Sequence, residues 1–357
     1  MAESPKALKL FSPGRIAVAI ILGLSVATYQ VVNSFDIKAF EAIQWTWYST
    51  FWIIVAVIMM ALRDLAYMYR IRVLTDYQIS WRNSFDTIML WEFASAITPS
   101  VVGGSAVAVY IVNKEGVKIG RSTAVVMTSA MLDELFYILM VPIIILAVGY
   151  SNLFPVEMEK TIFGVTLGTA GIFIVGYLFI VFLTSVITYA IFFRPRGFKW
   201  ILLQIFKLPY LRKWRSSAAE TGDEIIVTSK ELKGKPRRFW MKSFGATLVS
   251  WTARYWVVNF IILAFIPVTD HLLIYGRQLV MWVIMLISPT PGGAGIAELA
   301  FSGFLRDFIP IGLIAALALI WRLISYYPYL FIGAVILPKW IKKTHSKPSI
   351  INDKKSI

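Results

Sequence analysis

The chain has 357 residues, 58% hydrophobic and 15% charged, with a formal net charge of +15 and a mean hydropathy of +0.70. Water-soluble domains carry about 25% charged and about 45–50% apolar residues, so no soluble core hides this much apolar surface, and lipid must be the solvent. Cysteine is absent and the only histidines are His271 and His345, which excludes disulfides, cysteine chemistry and a histidine metal cluster.

Lys6, Lys9 and Arg15 precede an apolar run from Ile16 to Val32. Tyr29, Gln30 and Asn33 stand where a small-residue cleavage site would be, so the run reads as a retained first span. A crossing helix needs about 20 apolar residues. Six segments qualify: 14–33, 45–62, 122–149, 161–193, 243–266 and 309–337. Two more stretches, 86–112 and 272–305, are each split by proline and glycine into halves too short to cross. The pattern predicts an all-α polytopic membrane protein with six full transmembrane helices and two re-entrant broken helices. One membrane domain then occupies 1–357, with a first half over 14–149 and a second over 161–337. A basic amphipathic loop at 194–242 and a basic tail at 338–357 complete it.

Positive charge sets the orientation. With a cytoplasmic N-terminus and both split stretches returning to the side they left, 29 of the 35 Lys and Arg fall inside. They occupy the N-terminus, 63–82, 113–121, 194–242 and the tail. Lys38, Lys160 and Arg306 fall outside, and Arg254, Arg277 and Arg322 fall at membrane depth. If either stretch crossed fully, the bias would fail. The chain is therefore expected in the cytoplasmic membrane with both termini cytoplasmic. In the 194–242 loop, Trp200, Phe206, Leu208 and Trp214 lie among 13 cations. That composition suits a segment lying on the anionic inner leaflet, or a solvated loop that only sets topology.

The two breaks are alike. Ile97-Thr98-Pro99 leads to Gly103-Gly104-Ser105, and Ile287-Ser288-Pro289 leads to Gly292-Gly293-Ala294-Gly295. The flanking order also matches, two spans before and one after, but the halves start from opposite faces. Inverted repeats with discontinuous helices recur in secondary transporters. Irregular backbone at that depth is tolerable only inside protein or beside a watery cavity. Two matched breaks therefore predict one shared cavity, against the alternative of two proline kinks satisfied by neighbours.

Ionisable groups at bilayer depth are expensive and face a cavity or a partner. They are Glu92, Asp133, Glu134, Arg254, Arg277, Glu298 and Arg322. The expected arrangement is a central cluster of Arg254 and Arg322 with Glu298 and one of Asp133 or Glu134. Asp133 and Glu134 are adjacent and point about 100° apart on a helix, so they cannot share one partner. The cluster either fixes helix packing or leaves an arginine for an anionic substrate, which guanidinium binds bidentately. Helix restarts near Gly104 and Gly293 would add N–H donors and close backbone approach. The candidate substrate-binding residues are thus Thr98, Pro99, Gly103, Gly104, Arg254, Ser288, Pro289, Gly292, Gly293, Gly295, Glu298 and Arg322. Glu92, Asp133 and Glu134 are candidates for ion or proton coupling. Tryptophans near span ends, including Trp47, Trp251 and Trp340, read as interface anchors. No enzyme motif is present, and no cofactor, metal or nucleic-acid partner is expected.

The run from Ser288 to Glu298 (Ser-Pro-Thr-Pro-Gly-Gly-Ala-Gly-Ile-Ala-Glu) is the most specific stretch. With Thr98-Pro99, Gly103-Gly104, Val109-Tyr110, Gly116, Ser122 and Asp133, it resembles the lysylphosphatidylglycerol synthase transmembrane, or flippase-like, family over about 16–337. That resemblance implies a membrane domain that moves lipids between leaflets. Relatives often carry a fused soluble aminoacyl-transferase domain, which this sequence lacks, so synthase activity is not implied. The function expected is transport of an anionic phospholipid or a polyprenyl-phosphate lipid. Its partners are lipids with anionic headgroups, with a homo-oligomer or a lipid-modifying enzyme as further candidates. The rival is a non-transporting scaffold or accessory subunit of a lipid-modifying or glycosyltransferase system.

Overall fold

The computed structural model describes residues 43–97, 100–156, 159–162, 165–208, 212, 215–285 and 296–345. The predicted span 14–33 lies outside these residues, as do Thr98, Pro99, Ser288, Pro289, Gly292, Gly293 and Gly295.

Thr46 starts helix α1 (Trp47–Leu74). Its hydroxyl accepts from the Ser49 amide at 3.2 Å, and the Ser49 hydroxyl accepts from the Thr46 amide at 3.4 Å, a reciprocal capping box. Hydropathy ended this span at 62, because Arg63 looked like its cytoplasmic edge. The helix instead runs on through Arg63 and Arg70, which are only 1% and 4% exposed. Partners on other helices neutralise both, so these two arginines leave the inside set counted from sequence.

Helices α2 (Trp81–Ile97) and α3 (Ser100–Lys114) occupy the first broken stretch and pack on one another. Lys343 contacts both ends of the pair: Asn83 at 3.0 Å and Asp86 at 3.6 Å on α2, and Glu115 at 3.7 Å beyond α3. The pair therefore starts and finishes at one end of the bundle. Helix α4 (Ile119–Val148) begins there too, since Arg121 pairs with Asp76 just after α1.

The expected span 161–193 needs correction. Its first residues form an antiparallel hairpin, β1 (Glu159–Ile162) and β2 (Val165–Gly168), in which Glu159 pairs with Gly168. β-Branched Thr161, Ile162, Val165 and Thr166 favour extended backbone over helix. Helix α5 (Thr169–Thr188) starts after it and ends in a π turn over Tyr189–Phe193. The 194–242 loop is also more ordered than expected. It contains α6 (Pro195–Ile205), α7 (Arg215–Lys233) and the first turns of α8 (Arg237–Leu263). Helix α6 packs on α7 and leaves Trp200, Ile201 and Ile205 exposed.

Helices α9 (His271–Met285) and α10 (Ile296–Leu305) occupy the second broken stretch. Arg277, in the second turn of α9, donates to the Phe304 carbonyl at 3.1 Å and pairs with Asp307 at 2.7 Å. It also donates to the Asn152 carbonyl beyond α4 at 3.0 Å. So α9 starts and α10 finishes beside the far end of α4, opposite Asp76. Helices α11 (Ile311–Ser325) and α12 (Tyr327–His345) replace the single span 309–337, with the turn at Tyr326 between them. Residues 338–345 of the predicted tail are helical, and Trp340 is 4% exposed with its indole donating to Glu115 at 2.7 Å. It is a core residue, not an interface anchor.

Among the described residues, five helical units are long and apolar enough to cross a membrane: α1, α4, α5 with its π turn, α8, and α11 with α12. Helices α1 and α8 form the most extensive helix–helix contact, and they run antiparallel. Trp52 stacks on Phe260, Ser250 donates to the Arg63 carbonyl at 3.2 Å, and Tyr77 meets Lys242 at 3.4 Å. Buried Ser243, Ala246, Thr247, Ser250 and Ala253 put a stripe of small side chains on α8. Small residues are what membrane helices use to approach closely, since lipid supplies no hydrophobic drive.

Two further interfaces use glycine in the same way. Gly276 lets α9 meet α4, and Gly333 lets α12 close over Phe93 of α2. A Cβ at Gly276 would stand 2.6 Å from Ile144 Cγ2 and 2.8 Å from Leu153 Cδ2. Gly276→Val is therefore expected to destabilise the protein by about 1–3 kcal/mol through overpacking. A lowered melting temperature in detergent checks this; an unchanged one refutes the close contact.

Candidate functional site

Helix α1 presents Arg63, Tyr67 and Arg70 at i, i+4 and i+7, one face of a helix. Helix α2 does the same with Ile88, Trp91, Glu92, Ser95 and Ala96, and α8 with Trp251, Arg254 and Tyr255. These faces meet Asp133, Glu134 and Tyr137 of α4, Gln278, Met281, Trp282 and Met285 of α9, and Arg322 and Tyr329 of the last two helices. They enclose a cavity of about 280 Å³. Small-molecule pockets run from about 300 to 1,000 Å³, so the space is close to the lower end of that range and large enough for a headgroup. Ser95 and Ala96 end α2 and Met285 ends α9, and all three line the cavity. Helices α2 and α9 thus approach from opposite ends of the bundle and stop at the same place.

Four arginines line this space, and three are committed. Arg63 pairs with Glu92 at 2.5 Å and Asp64 at 2.8 Å, and donates to the Tyr329 hydroxyl at 3.1 Å. Tyr329 in turn donates to Asp64 at 2.9 Å. Arg70 grips Asp133 with both terminal nitrogens, at 2.5 and 3.0 Å, and donates to Thr247 at 2.9 Å. The Trp251 indole also donates to Asp133, at 2.7 Å. Arg322 pairs with Glu298 at 2.7 Å and lies 4.7 Å from the Tyr326 ring. Removing one partner of such a buried pair leaves an uncompensated charge.

Arg254 differs. Its guanidinium lies 5.1 Å from the Trp282 ring and 5.5 Å from the Trp251 ring. Among the described residues it makes no ion pair and no hydrogen bond. Cation–π contacts hold its position while leaving its N–H donors unused. On the acidic side Glu134 is the counterpart. It lines the cavity, and its buried Oε2 has no hydrogen-bond partner among the described residues. No group of three or more His, Asp or Glu able to hold a metal occurs among the described residues.

The sequence expectation of one central cluster therefore divides. Glu298 and Arg322 do meet, Asp133 goes to Arg70 instead, and Arg254 joins neither pair. Glu92 and Asp133 are tied to arginines, leaving Glu134 as the candidate proton group. Helix α3 restarts at Ser100, and Gly104 is buried in its second turn against Ser95, where a Cβ would collide with the serine hydroxyl. It packs α3 against α2 beside the cavity-lining Ser95 and Ser105. Gly103 lies in the same helix. Trp251 lines the cavity and is no interface anchor. Sequence reading missed Arg63, Tyr67, Arg70 and Trp282, although the i, i+4, i+7 spacing of the first three marked a shared face.

Residues 15–333 match the model of a protein family described as the lysylphosphatidylglycerol synthase TM region. A curated UPF0104 membrane protein of Archaeoglobus fulgidus is 28% identical over 295 residues, which cover 79% of this chain and 84% of that protein.

Proposed function

We propose that this chain, which belongs to the lysylphosphatidylglycerol synthase TM region family, moves an anionic phospholipid or polyprenyl-phosphate lipid between leaflets of the cytoplasmic membrane. It is a multi-pass membrane protein, and we assign it a transport role with no enzymatic step. The observation that carries this is Arg254, the one cavity arginine without a carboxylate among the described residues, in a space sized for a headgroup.

The architecture we assign is six spans with two re-entrant pairs in an inverted repeat, both termini cytoplasmic. Helices α1, α2 and α4 begin at Trp47, Trp81 and Ile119, and α8, α9 and α11 begin 190, 190 and 192 residues later. That near-constant interval supports the repeat. So does reciprocal packing, α4 on α9 and α12 on α2. The α2–α3 and α9–α10 pairs return to opposite ends of the bundle, as hairpins from opposite faces would. Lys235, Lys343 and Arg121 gather at the Asp76 end, which supports that end as cytoplasmic.

Glu134 is the group we assign to proton coupling. The cavity it lines also holds Arg254 and Tyr255 of α8, Arg70 and Tyr67 of α1, and Gln278 of α9; Asp133 and Tyr137 share its helix. Glu134→Gln is expected to remove any response of transport to an imposed pH gradient while leaving the melting temperature unchanged. A gradient response equal to wild type in that variant would exclude the role.

The test of the transport reading is purified protein in liposomes of phosphatidylcholine with a trace of labelled phosphatidylglycerol. Redistribution of the label between leaflets supports it. No redistribution, with co-purification of a lipid-modifying enzyme, would assign the scaffold role instead.

A further inference from the structure

We infer that Trp282 makes Arg254 an anion receptor, because it occupies the position where the other half of the molecule carries a neutralising carboxylate. The ligand is a phosphate-ester oxyanion. The inference rests on the repeat and on the lipid-carrying reading above.

Glu92 is the twelfth residue of α2, and Trp282 is the twelfth residue of α9. Arg63 is the seventeenth residue of α1, and Arg254 the eighteenth of α8. By the 190-residue interval Arg254 stands where the first half has Asp64, and Arg63 where the second has Ala253, so the arginines are offset by one residue; each still reaches the twelfth residue of the following helix. Arg63 finds the Glu92 carboxylate at 2.5 Å, and Arg254 finds the Trp282 ring at 5.1 Å. The helix position that is contacted repeats, and the electrical result does not. The Arg63 guanidinium meets two carboxylates, Glu92 and Asp64, while Arg254 meets none among the described residues and keeps its positive charge. An indole face attracts the guanidinium through its quadrupole and accepts none of its in-plane N–H groups. Those donors form the planar fork that matches two phosphate oxygens. Residues 286–295, which link α9 to α10, contain no Asp or Glu, so the sequence supplies no acid there either. Trp251, 5.5 Å away, holds the guanidinium from a second direction.

The purified protein in detergent would be titrated with dihexanoyl phosphatidylglycerol and with inorganic phosphate, by calorimetry. Trp282→Glu places a carboxylate at the position that Glu92 holds in the other half and removes the ring contact with Trp251, so its folding is checked by melting temperature. Its affinity for the short-chain lipid should fall by about tenfold or more, as loss of a charge-assisted pair requires. Trp282→Phe, which keeps an aromatic face and no acid, should bind within about threefold of wild type, since stacking on Phe also supports a cation. Parallel loss of inorganic phosphate binding would make free phosphate a sufficient ligand. Binding of the lipid alone would assign the headgroup with its chains. A folded Trp282→Glu protein that binds the lipid as wild type does overturns the inference. If that variant does not fold, Arg254→Gln decides: lost binding supports the inference, retained binding overturns it. Leaflet exchange is measured separately. Binding by a wild-type protein that moves no lipid would sink the transport reading and leave the receptor standing.

Discussion

Arg254→Ala is expected to slow leaflet exchange of a labelled anionic lipid by about 10- to 100-fold, the range that losing a charge-assisted hydrogen bond implies. Its melting temperature should stay at the wild-type value. The second half of this expectation distinguishes Arg254 from every other arginine of the cavity. It compensates no carboxylate among the described residues, so its removal strands no buried charge. It loses contact with two indoles, a modest term for a half-buried side chain. Exchange assays in liposomes, paired with thermal melting in detergent, read the two quantities independently. Wild-type exchange would remove Arg254 from the transport site. Collapse of the fold would mean that it serves packing after all. Glu298 does not offer the same contrast, because its carboxylate is committed to Arg322 and its removal alters function and packing together.

Arg63→Leu should have the opposite signature. Its guanidinium is buried between Asp64, Glu92 and the Tyr329 hydroxyl, and it joins α1, α2 and α12. Loss of the cation leaves two acids facing one another without compensation. Breaking a buried pair by deleting one partner typically costs about 3–5 kcal/mol, a large share of the roughly 5–15 kcal/mol that hold a domain together. The variant should fail to accumulate as folded protein. The triple replacement Arg63→Leu, Asp64→Asn, Glu92→Leu removes the charges as a set and should restore much of the stability. Size-exclusion profiles and melting temperatures check both statements. A single Arg63→Leu variant that melts as wild type would show the cluster to be dispensable.

Much of the fold was legible in the sequence because hydropathy and the two proline–glycine breaks are local signals. Five of the six expected spans overlap helical units long and apolar enough to cross a membrane, and the first lies outside the described residues. The errors have physical causes. Arg63 and Arg70 looked like a cytoplasmic edge because a hydropathy window sees the cation and not its partner. Those partners lie 29 and 63 residues away, at Glu92 and Asp133. The hairpin before α5 was read as helix because threonine and valine are apolar enough to lengthen a span while their branching prefers strand. At the site, the pairing of Glu298 with Arg322 was legible, both lying at membrane depth beside the second break. The isolation of Arg254 was not, since it depends on which acid each arginine takes. Only the side-chain contacts show that Asp133 turns to Arg70. The interval of 190 residues would have found the Glu92–Trp282 exchange, had helix starts been known to that accuracy.

The distribution of the ion pairs carries one more consequence. Arg63 with Asp64 and Glu92, and Arg70 with Asp133, join groups that all belong to helices up to α4. Arg277 with Asp307, and Arg322 with Glu298, join groups that all belong to helices from α8 onward. Across the boundary at cavity depth the hydrogen bonds run through hydroxyls, a carbonyl and an indole: Tyr329 with Arg63 and Asp64, Arg70 to Thr247, Trp251 to Asp133, Tyr137 with Tyr255, and Tyr326 to the Ala96 carbonyl. Such bonds are worth about 0.5–1.5 kcal/mol each, or about 1.5–3 kcal/mol when one partner is ionised. A displacement of one half against the other would leave these four assemblies whole, and the ion pairs it would disturb are those at the Asp76 end, Lys235 with Asp76 and Lys343 with Asp86 and Glu115. Among the described residues, every ion pair lining the cavity thus stays within one half, while Lys235, Lys343 and Arg121 tie the halves together at the Asp76 end.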